Sequence, residues 1–89
     1  MARFEILSAD NAALGGMVAV NEMYVRLGLM YASGRSVAVD RVAAHMWFNI
    51  AALKGDREAV QLRRELSGEM TSEEIAAAQR AAREWLTRH

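Results

Sequence analysis

Between residues 27 and 59, small and large residues recur at fixed steps, and this limits what the chain can fold into more than any other feature. Leu27 and Gly28 are followed by Tyr31, Gly34, Val37 and Asp40, and then by Ala44, Trp47, Ala51, Ala52, Gly55 and Ala59. Steps of three and four residues put such positions on one face of a helix. Gly34 and Gly55 stand where a helix needs a left-handed terminator, and Asp40 stands where the next helix needs an N-cap. One helical hairpin is expected, with Val37 as the apolar plug of its connecting loop. Glycine inside a helix costs about 0.5 to 1 kcal/mol relative to alanine, so Gly28 calls for a compensating close approach of the two helices. Ala44, Ala51 and Ala52 are the expected counterparts, with Trp47 and Tyr31 filling the space beside them.

The succession over residues 23–59 closely resembles the Sel-one-like repeat, a relative of the tetratricopeptide repeat. It departs from that pattern at Met23, where the family usually has alanine, and at Ser36, where it usually has glycine. The resemblance implies antiparallel helix pairs that stack into a right-handed solenoid and serve as scaffolds for other proteins. A continuing array would place a Leu-Gly pair at 63 and 64, but Arg63 and Arg64 stand there. The repeat is therefore expected to stop, with charge where two helices should touch, and a polar-faced helix is expected to cap the last apolar surface.

Proline is absent, glycine occurs six times and apolar residues make up 53% of the chain, with alanine abundant. Such a composition favours helix throughout, and the fold class expected is all-α. At 89 residues one domain is expected, burying about 60 to 65% of the surface its unfolded form exposes. Its expected parts are residues 1–16, as an N-terminal helix or an eroded half-repeat, 17–59 as the repeat hairpin and 60–89 as capping helices. A short helix is expected over 3–14, and Gly15-Gly16 should break the chain before a helix over 17–33. Ala12 to Gly16 echoes Ala51 to Gly55, which is the ground for the half-repeat. The core side of the 17–33 helix is expected to carry Val20, Tyr24, Leu27 and Tyr31. A second helix is expected over 41–54, and Asp56 caps a third that ends near Leu66 before Ser67-Gly68. Thr71 and Glu74 form a capping box opening a fourth over 72–87, with Ile75, Ala78, Ala82, Trp85 and Leu86 on its apolar face.

Several functional classes lose support at this level. Eleven basic residues balance eleven acidic ones, so no strong pull on nucleic acid or an anionic membrane is expected. Without cysteine, no disulfide, cysteine-zinc site or thiol nucleophile is available. Glu5, Asp10 and Asn11 interrupt the N-terminal apolar stretch, and no run reaches about 18 apolar residues, so a cytoplasmic protein is the default. His45 lies near Trp47 and Asn49, but the other histidine is His89, so a metal or acid-base role lacks converging partners. Ser33-Gly34-Arg35-Ser36 could hold an anion through backbone amides, yet it lacks a phosphate-loop pattern and serves as an ordinary turn. No nucleophile, base and orienting acid form a set, so a non-enzymatic protein without cofactor or metal is expected.

The remaining anomaly is a second stripe on the first helix, formed by Val18, Glu22, Val25, Leu29 and Ala32, with Arg26 and Met30 at its flanks. A second face asks for a second partner. Either residues 3–14 fold back onto it, or a protein, a peptide or a second copy docks there. The candidate contact residues are Val18, Glu22, Val25, Arg26, Leu29 and Met30. The leading expectation is an adaptor module, and the alternative is a homodimer formed through the same face.

Overall fold

The computed structural model describes residues 19–89, and all regular structure among them is helical. Helix α1 occupies residues 19–33, α2 runs over Arg41–Leu53, α3 over Arg57–Ser67 and α4 over Ser72–Arg88. The expected helix over 3–14, the Gly15-Gly16 break, the half-repeat and Val18 lie outside the described residues.

Local chemistry sets each boundary. The Asp40 carboxylate accepts from the Ala43 amide at 3.0 Å, and Asp56 does the same for Ala59 at 2.9 Å. Each satisfies one donor that an α-helix start leaves without an intrahelical partner. Thr71 and Glu74 form the expected reciprocal box, at 3.1 Å and 2.9 Å. Gly34 and Gly55 take φ of 77° and 101° after their helices. Ser36 shares the left-handed region with φ 68°, a conformation that disfavours side chains with a Cβ. The third helix ends differently, since Gly68 remains right-handed with φ −64° and its amide reaches back to the last turn.

Two contacts at opposite ends make α1 and α2 an antiparallel pair. The Asp40 amide donates to the Tyr31 carbonyl at 3.0 Å, and the Asn21 side chain donates to the Lys54 carbonyl at 3.4 Å. The close approach expected at Gly28 is present, but its partner is a side chain that the sequence reading did not assign. A Cβ at Gly28 would lie 2.5 Å from Phe48 Cδ1 and 3.0 Å from Cζ, so the Phe48 ring occupies the space that the glycine leaves. Trp47 points elsewhere, because adjacent residues on a helix are about 100° apart. It stacks on Tyr24 at 5.8 Å between ring centroids and meets Trp85 edge-on at 5.6 Å. Tyr31 packs beside Ala44, Phe48 and Leu66 instead.

Helix α2 is the common support of the described fold, with both α3 and α4 packed against it. Val25, Ala51 and Ala59 bring α1, α2 and α3 into one apolar cluster, and Ala44, Phe48 and Leu66 form another. Ala78 and Ala82 are fully buried on α4, whose small side chains permit a close approach. Arg63 does fall where helices meet, but its guanidinium donates to Asn49 Oδ1 at 2.6 Å, so the charge is accommodated within the α2–α3 contact.

Candidate docking face

The second stripe of α1 divides in two. Val25 is 5% exposed and packs with Ala51 and Ala59, so its expected place in a solvent-facing contact surface is corrected: it is core, and it reaches only the floor of the recess beside Leu29. Val20, expected in the core, is 43% exposed. The buried side of α1 is thus turned by about one residue from the expected one. The seating of Gly28 against Phe48 accounts for the turn, because the face that comes nearest α2 is centred on the glycine and takes in Val25. Glu22, Arg26 and Leu29 are exposed, Met30 is half-buried, and Val18 lies outside the described residues.

Leu29 is the centre of what remains. Although large and apolar, it is 43% exposed. It borders three adjoining surface recesses of about 550, 410 and 240 Å³. The first is closed by Arg35 and Ser36 of the loop after α1, the second by Asp56 and Glu58 at the start of α3, and the third by Leu62, Glu65, Leu66 and Glu69. The second and third make a groove between α1 and α3, with Phe48 of α2 reaching its floor, and the first continues it along α1 toward the following loop. Leu29, Leu62 and Leu66 are among its apolar residues, and its α3 border is acidic.

The α3 contribution was missed by sequence reasoning. Ala59, Leu62 and Leu66 fall on one side of α3, but residues 58, 62, 65 and 66 also share a helical face, and Glu69 follows in the turn after the helix. Acidic residues recurring beside that apolar pair were the available signal. The Ser33–Ser36 turn supplies the Arg35 and Ser36 side of one recess. Its serines and arginine are tied into helix termination, with the Ser33 hydroxyl donating to Met30 O and accepting from Arg35 N, each at 3.4 Å.

A different constellation surrounds His45, which is only 2% exposed. The Ser67 hydroxyl donates to the Arg63 carbonyl at 2.8 Å, which commits its one hydrogen. Ser67 Oγ therefore accepts from His45 Nε2–H at 2.9 Å. Nδ1 is left as a buried acceptor without a hydrogen-bond partner. Burial first, and the nearby Arg63 charge second, hold the imidazole pKa below its ordinary value of 6.5. A serine–histidine dyad needs the hydroxyl to donate to the ring and a group at the far nitrogen to orient it. Here the hydroxyl donates away and Nδ1 meets nothing, so the pair fixes α3 on α2 rather than activating Ser67.

Among the described residues, no group of three or more acidic or histidine side chains is placed to hold a metal ion, and no helix is long and apolar enough to cross a membrane. No family model matches the chain, and neither does any curated protein or solved structure with which it was compared.

Proposed function

We propose that this chain is a non-enzymatic interaction module that engages a protein or peptide partner along the α1–α3 groove. The observation that carries the reading is Leu29, a large apolar side chain 43% exposed at the meeting point of three recesses. A contiguous apolar recess rimmed by polar side chains is the usual form of an interaction surface. The resemblance of residues 23–59 to the Sel-one-like repeat supports the same reading, since proteins of that kind present helices to partners. On this reading α1 and α2 are one repeat hairpin of a short solenoid, and α4 covers the outer side of α2.

The alternative is a symmetric dimer through the same surface. One comparison tests both. Native mass and quantitative mass spectrometry of proteins retained by the wild-type chain are set against those of Leu29→Arg. A partner held stoichiometrically by the wild type and lost by the variant supports the adaptor. A dimer that the variant converts to a monomer supports self-association. A monomer whose retained proteins are identical in both forms overturns the two readings together.

A further inference from the structure

The groove has a charge pattern that specifies its occupant more closely than its apolar floor does. Glu58, Glu65 and Glu69 project from the α3 side, and all three are exposed. Glu58 and Glu65 lie two turns apart on α3, about 10 Å at 1.5 Å rise per residue, and Glu69 follows in the turn beyond its end. Arg57, Arg63 and Arg64 of the same helix line none of the three recesses, and Arg63 is held by Asn49. The α1 side is mixed, with Arg26 and Arg35 beside Glu22. The surface is therefore two-sided: an apolar strip through Leu29, Leu62 and Leu66, and a row of carboxylates along one edge.

We propose that the groove receives an amphipathic helical segment of another protein, with apolar side chains at three- and four-residue spacing and lysine or arginine along the edge that meets α3. This rests on the interaction-module reading and names the partner chemistry. Apolar anchors would cover Leu29 and Leu62, while cations facing Glu58, Glu65 and Glu69 would set the orientation and hasten encounter. Two nearer occupants fit less well. The side chains of the first 18 residues supply one cation, Arg3, beside Glu5 and Asp10, too few to match three carboxylates. A second copy could offer the arginines of α4, but its exposed residues Gln79, Arg80, Arg83, Glu84 and Thr87 are all polar, while Ala78 and Ala82 are buried on α2. That face has nothing to place over Leu29.

The test is selection on the full chain from a displayed library of random peptides of about 15 residues, roughly four helical turns. Affinities of the selected peptides are then measured by fluorescence anisotropy. The expected winners combine apolar periodicity with lysine or arginine. Their affinity should fall at least ~10-fold with Glu65→Lys/Glu69→Lys, and similarly between low and high salt, because rim charges are exposed and screened. Leu29→Arg should abolish their binding, while circular dichroism and melting temperature stay near the wild type. Winners that are acidic or neutral but still need Leu29 overturn the charge assignment and leave the docking face standing. Winners indifferent to both substitutions, or no winners at all, overturn the proposal. If in addition Leu29→Arg changes neither the native mass nor the retained proteins, the interaction-module reading falls with it.

Discussion

The two edges of the α1–α2 hairpin have opposite fates. On one, Tyr24 and Trp47 meet Trp85 of α4 at 5.4 and 5.6 Å, and His89 stacks on the outer side of Trp85 at 4.3 Å. On the other, Leu29 faces α3 across a groove that α3 does not fill. Each edge combines large and small residues, so composition does not separate them. The difference lies in the opposing helix. Helix α4 brings buried Ala78 and Ala82 and can settle against α2. Helix α3 buries Ala59 and Leu66, but at the groove it presents carboxylates whose desolvation would cost more than the apolar contact returns. A helix closes an edge when its facing side is small and neutral, and it leaves a groove when that side is charged.

Substitutions can break this contrast, each in proportion to the packing it removes or crowds. Phe48→Ala removes the ring that fills the space at Gly28 and reaches the groove floor, and should cost about 3 to 5 kcal/mol. Urea denaturation followed by circular dichroism would measure it, and a loss below 1 kcal/mol would mean that the ring is not the keystone. Gly28→Ala gains about 1 kcal/mol of helix propensity but forces a methyl into the Phe48 ring, an overpacking cost of about 1 to 3 kcal/mol. The overpacking prevails, with a net loss of about 1 kcal/mol. Pairing it with Phe48→Leu should recover more than additivity allows.

The His45 site adds a pH dependence of smaller size. Its folded pKa lies below 6.5 while the unfolded chain titrates near that value, so the unfolded state binds more protons as the solution is acidified. The stability contributed by neutral His45 is complete above pH 6.5 and declines as pH falls through that value toward the folded pKa. Melting temperatures between pH 7.5 and 5.5 should show the decline, and His45→Gln should flatten it. If the variant keeps the wild-type slope, the titration resides elsewhere. The smallest effect on stability belongs to Leu29→Arg, within about 0.5 kcal/mol because the side chain is already 43% exposed. A large loss of melting temperature there would show the groove to be internal core.

Much of the fold is readable without coordinates. Asp40, Asp56 and the Thr71–Glu74 box act on amides three residues away, and Gly34 and Gly55 answer a backbone requirement of their own. Such signals are local and survive without knowledge of the partner. The candidate docking face was legible only in part. Leu29, Arg26 and Met30 were found because an apolar residue recurring off the core stripe is visible in a periodicity. Val25 was misplaced because its side is set by a rotation of α1 about its axis, and that angle depends on how Phe48 seats against Gly28. Phe48 itself gave no sign of its role, since Trp47 beside it is the larger aromatic and drew the assignment.

The amino-acid sequence by itself determined that the described chain is helical, where its helices start and stop, and that Gly28 must face another element at close range. Those properties follow from capping, propensity and spacing within a few residues. The tertiary structure decided which ring enters the glycine notch, which edge of the hairpin α4 closes, and that the acidic side of α3 borders Leu29. These outcomes depend on contacts such as that of Phe48 with Gly28, between residues distant in sequence, where burial and charge are settled only once the helices have chosen their neighbours.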